Sequence, residues 1–522
     1  MREQPDLVFI VGAMIAVAAA TMISGLYGSR TRSTSDFLVA SRTVGPRWNA
    51  AAISGEFLSA ASFLGIAGLV LKGGVDALWF PVGFTAGYLA LLLFVAAPLR
   101  RSGAYTVPDF AEERLSSAPL RKICTGFVII IGWLYLVPQL QGAGLTVAAV
   151  SNHPQWMGAA VVMVIVTFNI YTGWMRSITV VQAFQYWIKL TALAVPVFVL
   201  LIHHAAENEG VRGSLSAAVD ETWLRPFSSS SSSSLLATYS LIIALMLGTM
   251  GLPHVLGRYY TNPDGLAARK TTLVVLALLG LFYLFPMISG WLARLYVPQL
   301  LGTGNTDAAL LLLPGAVLDG WPAQLLGALI AAGAFAAFVS AASGLVTSVA
   351  GVLSTDVLPG RLRDFRVATL AAWSVPLAFA LAVSSLDLAQ GVGLAFAVAA
   401  SSFCPLLVLG IWWRGLTDAG AAAGLLVGGG SAFLAVLPAA TGVFRPEWQE
   451  MLAQPAVFTV PLAFLTMVVV SRRTRDRIPI DVTRILLRLH APDRLGLAED
   501  RDIARLGMAA TLLRPRSGRH RR

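Results

Sequence analysis

The chain has 522 residues, 56% of them hydrophobic and 12% charged, with a mean hydropathy of +0.72, against about 25% charged in a soluble domain. That balance excludes a soluble globular enzyme. It also places the net charge of +11 in loops beside lipid rather than on a nucleic-acid face.

Apolar runs long enough to cross a hydrocarbon core of about 30 Å recur from Leu7 to Val470. They predict an all-α polytopic membrane protein of about thirteen transmembrane helices. The runs lie at 7–27, 48–70, 76–98, 123–150, 157–175, 178–202, 235–256, 271–295, 323–354, 367–385, 391–412, 419–440 and 455–471. A membrane barrel would instead alternate apolar and polar residues with period two.

In the first run AVAAA offers the small-residue pattern of a signal-peptide cleavage site. Its flank, Arg2 against Glu3 and Asp6, is a weak basic region, which favours a retained helix. The second run carries a carboxylate, Glu56, among Ser54, Gly55, Ser59 and Ser62. A segment so rich in small and hydroxyl residues can unwind and free its carbonyls for a cation where it faces protein or a cavity. A charged carboxylate at mid-bilayer costs about 2.5 kcal/mol or more, so a functional role outweighs an interfacial or capping one.

Tyr171 to Thr179 is only a short break between the fifth and sixth runs. His203 and His204, with Glu207 and Glu209, have poor zinc-ligand spacing and read as an interfacial cluster. The serine run 228–234 reads as a low-complexity linker. In LGTMGLPHVLG, from Leu247, glycine and proline interrupt the seventh run. Gly248 and Thr249 are the candidates there for an anion at a half-helix N-terminus, against an ordinary proline kink. The ninth run, rich in alanine and glycine, predicts a helix packed at the bundle centre, with Ser340 and Ser343 offering oxygens to a hard cation. Cys124 and Cys404 read as packing residues without a disulfide.

Arginine and lysine concentrate on alternate loops, from Arg30 through Arg100, Arg121, Arg258 and Arg366 to Arg414, and in residues 472–522. The opposite loops are sparse, which predicts an outside N-terminus and a cytoplasmic C-terminus. The predicted organisation is one transmembrane domain at 1–471 and a basic cytoplasmic tail at 472–522. In that tail RIPIDVTRILLRLHAPDRLG forms either an amphipathic surface segment or a solvated basic stretch. No Walker A loop or dinucleotide fingerprint is present. The chain therefore reads as a non-enzyme driven by an ion gradient, with no organic cofactor and no nucleic-acid or protein partner implied.

The blocks SDFLVASR (35–42), GEFLSAASFLGIAG (55–68), GAYTVPDFAEERL (103–115), GTMGLPHVLGRYYTNPDG (248–265) and VGLAFAVAASSFCPLLVLGIWWRGLTDAGAAAG (392–424) resemble the sodium/solute symporter family, in its cation/acetate or monocarboxylate branch. The resemblance implies a transmembrane symporter domain at 1–471 with a LeuT-type core of two inverted five-helix repeats, at about 48–202 and 235–412, and with the first helix of each broken at the midplane. It also implies a sodium site made by the carbonyls of Gly55, Leu58 and Ala337 and the hydroxyl of Ser340. Two positions depart from the pattern: Ala341 lacks the expected hydroxyl, and Thr179 in ITVVQ stands where many sodium-coupled members have an acid. A hard-cation site weakens as oxygens and charge are lost, so sodium and proton coupling both stay open, with Glu56 as the candidate proton carrier. The function implied is cation-coupled uptake of a small monocarboxylate such as acetate, propionate or pyruvate across the plasma membrane. Glu56, Ser59, Ser62, Gly248 and Thr249 are the substrate or coupling residues. A symporter of proline or a sugar, and a solute-binding sensor or channel, are the alternatives. Four lysines against many arginines fit a GC-rich bacterial source.

Overall fold

The computed structural model describes residues 7–27, 39–151, 153–172, 175–207, 221–227, 232–358, 362–382, 387–441 and 454–495. The serine run up to Ser231 and the tail beyond residue 495 lie outside the described residues.

A helix stands over each predicted run. In chain order they are α1 (Leu7–Tyr27), α2 (Pro46–Phe57), α3 (Ile66–Gly73), α4 (Trp79–Phe94), α5 (Val107–Leu115), α6 (Ala118–Ser151), α7 (Gln155–Thr172), α8 (Met175–Glu207), α9 (Ser232–Gly251), α10 (Pro253–Tyr259), α11 (Gly265–Tyr296), α12 (Ala309–Val317), α13 (Gly320–Val352), α14 (Leu362–Ala382), α15 (Leu388–Trp412), α16 (Asp418–Gly424), α17 (Gly430–Thr441), α18 (Ala456–Arg473) and α19 (Val482–His490). Among the described residues nine helical stretches are long and apolar enough to span, or ten with the bent α9–α10 pair. The difference from thirteen has two sources. α3 and α4 run on as one stretch, Ala61–Phe94, and the described apolar parts of α1 and α7, Val11–Ile23 and Gln155–Tyr171, are shorter.

Both predicted breaks are present. α2 stops at Phe57, Leu58 turns to ψ 86°, and the chain re-enters helix through a π turn at Ala61–Gly65. The amide of Ala60, freed by the break, donates to Gln139 Oε1 at 2.9 Å, which removes the cost of an unpaired group at membrane depth. α9 ends at Gly251, Leu252 is extended, and α10 begins at Pro253 with a 44° bend. Proline has no amide to lose at a first helical position, so it starts the half-helix there without breaking a bond.

α13 lies at the bundle centre, buried along almost its whole length from Leu326 to Val352. Its small residues let neighbours come close: a side chain at Gly333 would collide with Ala192 of α8 and Phe63. α8 packs against α2 and α13. Its buried polar residues Thr179, Gln182, Tyr186 and Lys189 recur at steps of three and four, which is one face of a helix. Val180, Phe184 and Trp187 are exposed on the other side.

At the arginine-rich end, the described part of the tail folds back onto the bundle instead of lying free in solvent. Arg101 grips Asp493 at 2.9 and 3.1 Å, Arg488 pairs with Glu113, and the His490 ring meets Trp412. Acidic partners in the tail and in α5 account for this, because they neutralise arginines that net charge alone would leave to the solvent.

At the opposite end, Thr306–Ala308 forms a 3-10 turn between α11 and α13. Gly68 of α3 packs so closely on the Thr306 carbonyl that a Cβ would stand 2.8 Å from it. Asp307 Oδ2 accepts from the Leu388 amide at 2.8 Å, and Lys72 and Asp387 pair beside it at 3.2 Å. Burial, with a smaller push from Asp387, raises the Asp307 carboxyl from an ordinary 3.8 to about 7, against the lowering effects of the Leu388 amide and Lys72. The sign follows directly. Below about pH 4 the carboxyl is protonated folded or unfolded; between 4 and 7 only the unfolded chain ionises, so this turn loses stability as pH rises. The thermal midpoint of the wild type should therefore fall between pH 5 and 7.5 by more than that of Asp307→Asn; equal slopes would remove the assignment.

Candidate functional site

The oxygens expected to hold a cation converge, and they converge on a lysine. In a continuous helix the carbonyls of Gly55 and Leu58 would be spent on amides four residues on; the break at Leu58 and Ser59 frees them. Lys189 Nζ donates to Gly55 O, to Leu58 O at 2.8 Å and to Ser340 Oγ at 2.5 Å. Ser340 Oγ in turn lies 2.8 Å from Gly55 O and 3.1 Å from Ala337 O. Lys189 and Ser340 are fully buried. An ammonium has three N–H donors, and each meets an oxygen of this nest. The residues predicted for sodium are thus brought together, but the group among them is the chain's own lysine amino group.

Lys189 belongs to none of the sequence motifs, although the sequence carries a signal for it. It is one of four lysines, the other three fall in predicted loops, and it continues the spacing of Thr179 and Gln182 along a single helix face.

Glu56 points to the other side of α2. It receives Arg258 Nε at 2.6 Å, with both side chains only 2% exposed. Arg258 also donates to Thr179 Oγ1 at 2.9 Å and to Gln182 Oε1, and Gln182 Nε2 donates to Ser340 O at 3.0 Å. One guanidinium fork therefore joins α2, α8 and α10, and Gln182 links that group to the lysine nest. Arg258, counted among the basic loop residues by sequence, is instead a core residue: the half-helix after Pro253 carries it inward, where a carboxylate offsets its desolvation. The hydroxyl of Thr179, standing where an acid is expected, accepts from this arginine. A cavity of about 740 Å³, open mouth included, runs from Thr106, Pro108 and Phe365 at the arginine-rich end up to Glu56, Arg258 and Gly344.

Past the break lies an aromatic cluster. Phe57 is edge-on to Phe84 and Tyr88, with ring centres 5.5 and 4.9 Å apart. Phe396 closes on Phe84 and Tyr135 at 5.1 and 5.8 Å, and Tyr283 stacks on Phe84 at 6.0 Å. Ser62 Oγ is bonded to Tyr283 OH at 3.0 Å, and Tyr135 OH reaches Ser59 Oγ at 3.5 Å. The Tyr88 hydroxyl, fully buried, has no hydrogen-bond partner among the described residues, which is costly unless something polar visits it.

Ser59 and Ser62 thus sit at the break, among hydroxyls. Gly248 and Thr249 do not stand at the exposed start of a half-helix. Both precede the break: Gly248 is pressed against the Phe396 backbone of α15, while Thr249 bonds back to Leu245 O at 2.7 Å and abuts Gly87. Glycine beside a proline serves helix packing as readily as anion binding, and here packing accounts for both positions. His204 bonds Tyr296 OH at 2.8 Å. Cys124 and Cys404 are buried and free.

A model of the sodium:solute symporter family matches residues 37–428. The uncharacterized symporter YwcA of Bacillus subtilis is 30% identical over 86% of this chain and 91% of its own length. A monocarboxylic acid transporter of Corynebacterium glutamicum is 28% identical over 88% of this chain and 89% of its own. Among solved structures, the substrate-bound outward-open state of a Na+-coupled sialic acid symporter superposes with a TM-score of 0.65 at 16% identity, over 89% of this chain and 97% of that one. Mhp1, a nucleobase-cation-symport-1 family transporter in a closed conformation, gives 0.52 at 13% identity, over 88% and 99%. At these identities the two structures speak for the fold alone, and it is the fold the two helix breaks predict.

Proposed function

The chain belongs to the sodium:solute symporter family, and from that premise we propose that it takes up a small monocarboxylate such as acetate, propionate or pyruvate with a cation, by alternating access. The observation that carries this reading is the unwound segment at Leu58 and Ser59. A nest of three oxygens around the Lys189 amino group lies on one side of it, and a tight cluster of aromatic rings and hydroxyls on the other. The polar groups beside the break are a few hydroxyls among rings, which suits a small carboxylate better than a sugar. The Tyr88 hydroxyl, with Ser59 and Ser62, supplies donors for one carboxylate. The monocarboxylic acid transporter of Corynebacterium glutamicum supports the same substrate class.

The repeats 48–202 and 235–412 would rock about this point, in a plasma membrane with the arginine-rich end and the tail 472–522 facing the cytoplasm. The cavity that reaches Glu56 and Arg258 from that end is then an inward-facing vestibule. Uptake of labelled pyruvate, propionate and acetate into vesicles holding the purified chain tests the reading. Accumulation above equilibrium that vanishes when ion gradients collapse supports it; uptake that never exceeds equilibrium makes the protein a channel. Tyr88→Phe should raise the half-saturating substrate concentration about tenfold or more, since a hydrogen bond to a charged group contributes about 1.5–3 kcal/mol. An unchanged value would exclude Tyr88 from the substrate site.

A further inference from the structure

We propose that Lys189 is the coupling-ion site of this transporter: its amino group carries the proton that travels with the carboxylate, in the place where the resemblance sets a sodium ion. The inference rests on the reading of the chain as a cation-coupled monocarboxylate transporter, and it names the ion.

Three observations carry it. First, the ammonium occupies the oxygens a sodium ion would need, bonded to Gly55 O, Leu58 O and Ser340 Oγ, and a second cation there would meet both like charge and spent ligands. Second, among the described residues no anion is left to draw sodium in: the nearby carboxylate, Glu56, is held by Arg258 at 2.6 Å, and position 341 is an alanine. Third, the bonds tie elements that must separate for access to alternate. Gly55 and Leu58 ride on broken α2, Ser340 on α13 and Lys189 on α8.

A protonated lysine has three donors and no acceptor, which matches three oxygens. When the N–H bond to one proton breaks and the proton passes to a water molecule, the amine keeps that electron pair as a lone pair. It then has two donors for three oxygens: either one carbonyl contact turns repulsive, or the Ser340 hydroxyl turns to the amine and gives up its bonds to Gly55 O and Ala337 O. The tie between α2, α8 and α13 loosens, and reprotonation from the other side restores it. One proton with one carboxylate moves no net charge.

The charged groups that face Lys189 are few. α2 brings Glu56, with Arg258 of α10 behind it. α13 and α12 contain no titratable side chain, and neither does residues 11–23 of α1. On the side of α11, the neighbouring Tyr186 of α8 is bonded to Leu278 O at 3.0 Å.

The test uses the purified full chain in vesicles, with labelled pyruvate because neutral acetic acid crosses lipid unaided, and with protein-free vesicles subtracted. An inside-alkaline gradient should drive accumulation, the lumen should acidify with uptake, and a sodium gradient should add nothing. Lys189→Gln and Lys189→Arg should both lose driven accumulation at least tenfold. Arginine keeps the charge but not a labile proton, so rescue by Lys189→Arg would mean a structural lysine and overturn the proposal. Accumulation driven by sodium, or uptake without acidification in the wild type, would overturn it whether or not the variants fold. A sodium-dependent rise in the melting temperature of the substrate-free wild type would overturn it without any transport assay. If the wild type moves no pyruvate, propionate or acetate under any gradient, the transport reading itself has failed.

Discussion

Arg258→Met is expected to cost the folded chain about 3–5 kcal/mol, the usual consequence of stranding one member of a buried ion pair, and to abolish uptake. The partner left behind is Glu56, 2% exposed, with nothing described beyond Gln182 and Lys189 to favour its charge. The guanidinium also serves Thr179 and Gln182, so the deletion removes those two bonds as well. Arg258→Lys should fail nearly as badly, because a single ammonium cannot reproduce a fork that reaches two helices at once.

The decisive comparison is the double variant Glu56→Gln with Arg258→Met. Removing both charges together eliminates the stranded carboxylate, and replacing a whole buried pair by neutral groups is often nearly neutral for stability. The double variant should therefore recover most of the folded yield and melting temperature that the single variant loses. It should not recover transport if the pair forms the gate between the vestibule and the lysine nest. If single and double variants melt alike, the pair contributes by packing and not by charge.

Much of this architecture is legible in the sequence because it depends on local chemistry. Proline at 253 after glycine at 251, and the serines and glycine around Glu56, weaken helical pairing wherever they fall, and both breaks lie within those stretches. The oxygens of Gly55, Leu58, Ala337 and Ser340 were reached through family resemblance, and they do meet. The identity of the cation was not legible, because it is set by which side chain α8 lays across α2 and α13. Lys189 is 131 residues from Leu58 and 151 from Ser340. Nor does a lone lysine in an apolar run announce its direction, since the same side chain can reach toward a membrane surface. Arg258 shows the converse: a basic residue near a predicted span end counts as a loop charge until the bend at Leu252 turns it inward.

Gly55→Ala should damage transport for a reason that has nothing to do with charge. A Cβ at Gly55 would overlap the carbonyl oxygen of Gln182, a backbone atom of α8 that no rotamer change can move. α2 and α8 would have to part to relieve that overlap. That separation draws Gly55 O from Lys189 and Ser340, and draws Glu56 away from the arginine that Thr179 and Gln182 position. Overpacking of this kind costs about 1–3 kcal/mol, so the variant should still fold, with a lower melting temperature and with driven uptake reduced at least tenfold. Gly126→Ala on α6 is the control: its added methyl meets nothing within 4 Å, and exchanging glycine for alanine inside a helix gains about 0.5–1 kcal/mol. Equal melting temperatures and equal uptake in the two variants would show that α2 and α8 can move apart freely, and the close contact at Gly55 could then not be what holds the cation nest together.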